Sequence, residues 1–301
     1  MKTELICVNH FIQEPARDKF MYLILKDLQK VRSWFLFSYV FIILSLGACS
    51  NYQKILKGSD YEKKYSLAVK LYEKKDFQRA YPLFEELVSV TRATAKAEDV
   101  YYYYTWCDYY LDDLVSAAYH FEQFEEMFPS SSRTEEMAFM VAFCYFRGSP
   151  EYSLDQTNSL KAIEQFQLFV NKYPFSSRIQ ECNELIDKLR AKMEKKSFET
   201  GMLFFKTNDF KAAIISLNNT LRDYPTTNYK EIILFTILKS NFLLAENSVE
   251  SKKIERYNQT LTAYSSFIDK FAKSKFADEA NSIKNKASEQ IKQLTTSLNP
   301  F

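Results

Sequence analysis

The chain has 301 residues, of which only four are glycine and two are histidine, whereas 26 are phenylalanine and 21 are tyrosine. The glycine-rich loops of ordinary dinucleotide and P-loop nucleotide sites are absent from the sequence, which excludes those two site classes. Two histidines leave little for a histidine-based metal site or a Ser-His catalytic triad. Charged residues make up 26% and the formal net charge is +2, so the composition indicates an ordered, aromatic-rich protein that is not an enzyme.

The N-terminal region contains an apolar run over residues 34–46. Three basic residues precede it: Lys26, Lys30 and Arg32. The run is shorter than the roughly 20 residues of a membrane-spanning helix, and it fits the core of a signal peptide. It ends in Leu-Gly-Ala-Cys at residues 46–49, which resembles a bacterial lipobox. The resemblance implies that residues 1–48 are a signal peptide and that Cys49 carries a covalent lipid, a diacylglycerol together with an N-acyl chain.

This predicted signal peptide is unusually long. Signal peptides have about 15–30 residues, whereas cleavage before Cys49 removes 48. Counting from Met21 gives 28 residues, and we therefore hypothesise that Met21 is the true start. Residues 49–301 hold 34 basic and 34 acidic residues, so the net charge belongs to the leader. A nucleic-acid-binding domain usually has a basic excess, and no nucleic-acid partner is expected.

The residue after Cys49 predicts the destination of the lipoprotein. In the sorting rule for bacterial lipoproteins, Asp at this position favours the inner membrane. Ser50 stands there instead, which predicts a lipid-anchored protein of the outer membrane. Residues 49–58 are interpreted as a short lipidated tether.

From residue 59 onward, small and aromatic residues recur at the spacing of paired helices. Ala68 and Ala80 allow two antiparallel helices to approach closely, and Phe84 fills the gap to the next pair. Aromatic-Pro pairs end the later copies, with proline at positions 129, 174 and 225. The pattern resembles the tetratricopeptide repeat, a 34-residue helix–turn–helix unit. It predicts an all-α tetratricopeptide-repeat solenoid of about five repeats.

The copies differ in length and regularity. The distance from Pro174 to Pro225 is 51 residues, and residues 178–190 carry apolar residues at helical spacing, which predicts an extra helix between repeats three and four. The fifth copy lacks the proline and has no Ala four residues before Tyr264, so it is degenerate, as expected of a terminal capping repeat. The predicted organisation is repeats one to three over residues 59–175, the extra helix with repeats four and five over 176–292, and a disordered tail over 293–301.

Helix starts are predicted from serine residues that precede Glu or Gln by three positions. Such capping boxes occur at Ser59, Ser132 and Ser177. Two of them follow an aromatic-Pro pair, so proline is expected to end one helix and the serine hydroxyl to begin the next.

The lipobox, the five repeats and the roughly 250 residues that follow Cys49 together resemble the BamD family, lipoproteins of the outer-membrane β-barrel assembly (Bam) machine. The most specific stretch is residues 149–157, Ser-Pro-Glu-Tyr-Ser-Leu-Asp-Gln-Thr, which is similar to the family's third-repeat loop. The resemblance covers about residues 49–285. It implies a periplasm-facing scaffold that binds the periplasmic domains of the barrel-forming Bam subunit and receives unfolded outer-membrane proteins. The alternative is another periplasmic tetratricopeptide-repeat lipoprotein that scaffolds cell-envelope enzymes.

Aromatic residues occupy the positions that face the groove in tetratricopeptide arrays. In that family, positions 5, 9 and 12 of the first helix of each pair line the concave surface. In repeats one to three, eight of these nine positions are aromatic: Tyr65, Tyr72, Tyr102, Trp106, Tyr109, Phe139, Phe143 and Phe146. Rigid rings bury a large area at low entropic cost, which predicts a groove for an extended, aromatic-containing peptide. Packing against neighbouring helices is the alternative role for the same rings.

The remaining chemistry-bearing residues predict no catalytic or metal site. Cys107, Cys144 and Cys182 each lie in a helical apolar pattern and are expected to be buried small hydrophobic residues. His120 is expected to be a surface or packing histidine without a carboxylate partner. No cofactor other than the covalent lipid is predicted.

Overall fold

The computed structural model describes residues 51–298, and these residues are helical with no strand among them. A short helical segment over residues 51–56 precedes the longer helices. We number the longer helices α1 (Tyr61–Glu73), α2 (Phe77–Thr91), α3 (Ala97–Tyr110), α4 (Leu114–Met127), α5 (Thr134–Arg147), α6 (Thr157–Lys172), α7 (Ile179–Lys206), α8 (Phe210–Asp223), α9 (Lys230–Glu246), α10 (Glu250–Phe271) and α11 (Ala277–Leu298). The predicted all-α, tetratricopeptide-like repeat fold is confirmed.

The described residues divide into two compact units, and the boundary between Cys107 and Asp108 falls within α3. In the first unit α1 packs against α2. In the second unit each helix from α4 to α11 packs against the next helix along the chain. This nearest-neighbour packing is typical of repeat proteins, in which each repeat contacts only the repeats beside it.

The turn between paired helices has the same backbone conformation in three repeats. It contains a residue with positive φ, between 59° and 66°, at Lys75, Asp112 and Asn208. The following residue is always an aspartate, and its N–H bonds a carbonyl five residues back, as in the 2.9 Å bond from Asp76 to Leu71. The side chains of the three aspartates, Asp76, Asp113 and Asp209, then cap the next helix. One short motif thus ends the first helix and begins its partner.

The predicted capping boxes are wrong. Asp60, rather than Ser59, caps α1 by accepting the N–H of Lys63 at 3.1 Å. Before α5 and α7, the serine that makes the hydrogen bond stands one position earlier than predicted. Ser131 replaces Ser132, and Ser176 replaces Ser177. Each hydroxyl accepts the N–H of the residue two positions later, at 3.1 Å. Thr227 and Ser274 make the same bond before α9 and α11. These hydroxyls stabilise the turn before the helix and do not cap the helix itself.

The segment predicted as an extra helix is helical and continues without a break into the first helix of repeat four. Together they form α7, which has 28 residues. Its first half buries Cys182, Leu185 and Leu189, and its second half buries Gly201. The unbroken helix arises because residues 179–206 contain no proline and only one glycine.

Both ends of the described chain are more ordered than predicted. Residues 51–56 of the predicted tether are helical, and the Tyr52 hydroxyl donates to the carbonyl of Arg79 at 3.0 Å. The disordered-tail prediction is wrong for residues 293–298, which continue α11. Leu294 packs against the core of the last helices, so apolar contact extends the helix beyond the repeat pattern.

We expect Gly201→Ala to destabilise the protein. A Cβ atom at this position would lie 2.7 Å from Cγ of Leu217 on α8. Overpacking of this kind costs about 1–3 kcal/mol, which exceeds the gain of about 1 kcal/mol from replacing glycine within a helix. Urea denaturation followed by circular dichroism should therefore show a lower free energy of unfolding. The matched control compares Leu217→Ala with the double variant Leu217→Ala/Gly201→Ala. Without the Leu217 side chain there is no clash, so adding the methyl group at position 201 should not lower the free energy of unfolding. A more stable single variant would show that Leu217 moves away at no cost.

Candidate functional site

The first unit holds four of the predicted groove aromatics: Tyr65, Tyr72, Tyr102 and Trp106, all of them half-buried. The ring of Tyr72 lies 5.4 Å from that of Phe77 and 4.9 Å from that of Tyr103. Tyr102 and Trp106 lie 6.2 Å apart along one side of α3. Tyr72, Tyr102 and Trp106 therefore pack against other aromatic residues and keep part of their surface accessible. The ammonium group of Lys96 lies 5.0 Å from the ring centre of Tyr65.

The second unit holds the other four: Tyr109, Phe139, Phe143 and Phe146. Phe139 is only 2% exposed, and its ring contacts Phe166 and Phe169 of α6 at 5.9 and 5.8 Å. A peptide cannot reach this ring, so the assignment of Phe139 to the groove is wrong. Phe139 lies on the first helix of its pair, as predicted, and its ring is buried against α6.

Phe143 and Phe146 are half-buried and stack with a ring separation of 5.8 Å. The half-buried ring of Tyr109 lies under the guanidinium of Arg147, 4.8 Å from its centre, and Arg147 also binds Asp112 at 2.6 Å. The hydrogen bond with Tyr109 is the main cause that raises the pKa of Arg147 above its ordinary value. These rings remain candidates for peptide contact.

Sequence reasoning missed how firmly the loop over residues 148–156 is held. Lys192 of α7 donates to the Ser149 hydroxyl at 2.6 Å and to the Pro150 carbonyl at 3.0 Å. One helical turn later, Lys196 donates to the carbonyls of Tyr152 and Leu154, at 3.2 and 2.8 Å. The two lysines lie four residues apart on α7, beyond the segment 178–190 that is predicted as an extra helix, and this spacing was the available signal.

The loop is also braced from within. Gln156 donates to the carbonyls of Glu151 and Leu154, at 2.7 and 3.0 Å, and Asn158 donates to the carbonyl of Gly148 at 2.9 Å. Most of the loop's backbone acceptors are thereby occupied without a regular helix. The leucine side chain at position 154 nevertheless remains 59% exposed, so a rigid backbone presents an apolar group to solvent. We call residues 148–156 the braced loop.

A second apolar surface follows the braced loop along the chain. Phe175, in the turn between α6 and α7, is 99% exposed. Helices α4, α5 and α6 also form a cavity of about 460 Å³, whose lining includes Val141, Leu168 and Tyr173. The ion pair between Lys172 and Glu125 lies at its edge. A fully exposed phenylalanine and a partly apolar depression are each typical of protein-binding surfaces.

His120 is the histidine within residues 51–298, and it lies beside a buried aspartate. His120 does have a carboxylate partner, contrary to expectation, because its Nδ1 lies 2.8 Å from Oδ2 of the buried Asp108. The pair links α3 to α4 and fits the predicted packing role. Within residues 51–298 no cluster of three or more His, Cys, Asp or Glu is placed to hold a metal ion.

Comparison with known families gives one match. Residues 58–256, about two thirds of the chain, match the family model YfiO, described as an outer membrane lipoprotein. No curated protein matches the chain. None of the helices within residues 51–298 is both long and apolar enough to cross a membrane.

We expect the three buried cysteines to be inert in the native protein. Burial raises the pKa of Cys144 to about 12 and that of Cys182 to about 11, and Cys107 is fully buried. At pH 8, only about one Cys144 thiol in ten thousand would be ionised, and the thiolate is the reactive form. An aromatic disulfide reagent should therefore leave all three thiols unmodified for hours in native protein and should titrate three thiols at once in urea. Complete modification of native protein within minutes would contradict this expectation.

Proposed function

The chain belongs to the YfiO family of outer membrane lipoproteins, and we propose that it is a scaffold of the outer-membrane β-barrel assembly machine. The observation that carries the proposal is the family match, because it spans the helices from α1 to the first part of α10 and includes the braced loop. The scaffold holds other proteins in place and performs no chemical reaction itself.

In this function the protein is anchored through lipid on Cys49 and faces the periplasm. Cys49 lies outside the described residues, and its role rests on the lipobox and on the family description. A diacylglycerol with an added acyl chain buries enough hydrocarbon for stable membrane attachment without a membrane-spanning helix.

The half-buried aromatics are proposed to bind unfolded outer-membrane proteins. Barrel strands characteristically end in an aromatic residue, and rings such as Trp106 and Phe143 offer aromatic surface without the entropy loss of flexible side chains. The rings already pack on one side, so they are positioned before a peptide arrives. Seven residues remain in this set: Tyr65, Tyr72, Tyr102, Trp106, Tyr109, Phe143 and Phe146.

The braced loop and Phe175 are proposed to contact the periplasmic domains of the barrel-forming Bam subunit. A loop that is rigid before binding loses little entropy when a partner docks. Its exposed Leu154 and the fully exposed Phe175 supply apolar anchors of the kind that dominate interface energetics.

The second candidate function is a periplasmic lipoprotein that scaffolds cell-envelope enzymes. Tetratricopeptide-like repeats serve many partners, and fold alone does not choose between them. Crosslinking of the lipoprotein in its outer membrane, followed by pull-down and mass spectrometry, discriminates the two. Recovery of the barrel-forming Bam subunit supports the first, whereas recovery of cell-wall enzymes without that subunit supports the second.

We expect Lys192→Gln/Lys196→Gln to reduce crosslinking to the barrel-forming subunit by about tenfold. Removing both ammonium groups leaves the carbonyls of the braced loop without their donors, so the loop must be ordered at the moment of binding. The measurement is crosslinked yield at equal protein level, with thermal unfolding as the check on folding. Lys188→Gln is the matched control, because Lys188 is an exposed lysine on the same helix. Full crosslinking by the double variant would mean that this loop is not the docking element.

We expect Phe143→Ala and Trp106→Ala each to weaken binding of a C-terminal barrel-strand peptide by about tenfold, which corresponds to about 1.4 kcal/mol. The loss of a half-buried ring should lower stability less than it lowers peptide affinity. Fluorescence anisotropy of a labelled peptide gives the affinity, and urea denaturation gives the stability. Tyr119→Ala is the control, since Tyr119 is an exposed aromatic on the second helix of its pair. Unchanged affinity in folded variants would leave only the packing role for these rings.

A further inference from the structure

Several lysines near the start of the described chain have no acidic partner. Residues 51–75 contain seven lysines and three acidic residues. Two of these lysines, Lys63 and Lys64, form ion pairs at 2.6 and 2.5 Å with Asp60 and Glu86. The other five are exposed, and within residues 51–298 none has a carboxylate oxygen within 4.0 Å: Lys54, Lys57, Lys70, Lys74 and Lys75.

Three of these lysines lie at one end of the first helix pair. Lys70 and Lys74 are four residues apart at the end of α1, on the same side of the helix. Lys75 follows in the turn to α2, where its φ of 59° keeps it outside the helix. We call these three residues, together with Lys54, the lysine patch.

The N-terminal segment is tied to the same end of the helix pair. The Tyr52 hydroxyl donates to the carbonyl of Arg79, in the first turn of α2, at 3.0 Å. Helix α2 begins at Phe77, directly after the turn that carries Lys74 and Lys75, so Arg79 lies close to that turn. The hydrogen bond to Arg79 therefore holds Tyr52 near the same end of the helix pair. Lys54 lies two residues beyond Tyr52 and adds an exposed positive charge to this short helical segment.

The nearby acidic groups do not cancel this charge. Asp76 is engaged by Arg79, whose Nε lies 2.7 Å from Oδ2. Its hydrogen bond with Arg79 is the main cause that lowers the pKa of Asp76, so this carboxylate is ionised and neutralised by its own partner. Glu73 is the remaining exposed acidic residue among positions 70–76. Four lysines against one free carboxylate leave a local excess of positive charge.

Chain length limits how far this excess lies from the predicted anchor. Cys49 precedes Asn51 by two residues, which span about 7 Å at most. If Cys49 carries lipid, its acyl chains enter the bilayer, and the lysine-bearing end of the first helix pair is held next to the headgroups. Charges attract over a Debye length of about 8–10 Å at physiological salt, which is a similar distance.

We propose that the lysine patch is a membrane-contact surface that binds the phosphates of anionic phospholipid headgroups in the bilayer holding the anchor. This inference rests on the proposed lipidation of Cys49 for the position of the surface, but not for its charge. The acyl chains already provide attachment. The lysines therefore fix the orientation of the first helix pair on the membrane, because each basic residue near an anionic surface contributes a separate attraction.

The test is lysine footprinting of the mature protein in vesicles. Purified protein is reconstituted in phosphatidylcholine alone or with roughly 30% phosphatidylglycerol, treated with an amine-acetylating reagent, and analysed by mass spectrometry. Acetylation of Lys70, Lys74 and Lys75 should slow about fivefold or more in the anionic vesicles. The protection should disappear in roughly 0.5 M salt, where the Debye length is about 4 Å. Lys273 and Lys286, which are exposed in the second unit, serve as internal controls and should not change.

A variant and two further measurements separate the outcomes. Lys70→Gln/Lys74→Gln/Lys75→Gln should abolish the protection of Lys54, because the acyl chains keep the protein attached but one lysine does not orient the surface on the membrane. Equal acetylation in the two vesicle types overturns the proposal. Equal protection in neutral vesicles with soluble glycerol phosphate also overturns it, since the ligand would then be a free phosphate. The intact mass of the mature N-terminus reports lipidation separately. If the protein carries no lipid but still binds anionic vesicles through the lysine patch, the proposed lipidation of Cys49 is wrong and the proposed membrane-contact surface is supported.

Discussion

The structure depends on the close approach of paired helices at small residues. In the first four repeats the second helix of the pair carries a fully buried alanine, at Ala80, Ala117, Ala162 and Ala213. Four residues later, on the same face, a large side chain fills the space toward the next helix: Phe84, Phe121, Phe166 and Leu217, all with no exposed surface. In repeat four, leucine replaces the phenylalanine of the other repeats, and this smaller side chain, Leu217, packs directly over Gly201. The loss of ring volume on one helix is thus matched by an even closer approach of the other.

This constraint is visible in sequence, and it explains why the repeat fold could be predicted. A fully buried alanine followed four residues later by a fully buried phenylalanine marks the second helix of the first three repeats: Ala80 and Phe84, Ala117 and Phe121, Ala162 and Phe166. The sequence predicts a degenerate fifth repeat if Tyr264 is the large residue of the motif. The buried ring is Phe267, and the partly buried Ala263 stands four residues before it. The repeat is therefore more regular than its sequence suggested, and a shift of three residues in the assumed register hid the motif.

What the sequence could not provide depends on contacts between residues far apart in the chain. The braced loop has no regular secondary structure, and its order comes from lysines about 43 residues away. Phe139 satisfies the repeat position of a groove residue, yet contact with α6 draws it into the core. The helical residues 51–56 and 293–298 lie outside the repeat pattern, and Tyr52 and Leu294 keep them ordered through tertiary contacts. Local spacing identifies a repeat, but side-chain rotation and loop order follow from packing.

Residues 49–301 hold equal numbers of acidic and basic residues, but the lysines among them are in three different states. Lys64 is buried and paired with Glu86, so its charge is cancelled where it stands. The ammonium group of Lys192 donates to a hydroxyl and to backbone carbonyls of the braced loop. These charge-assisted hydrogen bonds replace the ones that water otherwise donates to a loop. Lys74 has neither kind of partner within the described residues, and its charge remains available to an outside ligand. Net charge excludes a broadly basic nucleic-acid surface, but only the partner of each ammonium group distinguishes structural lysines from those that can bind a membrane.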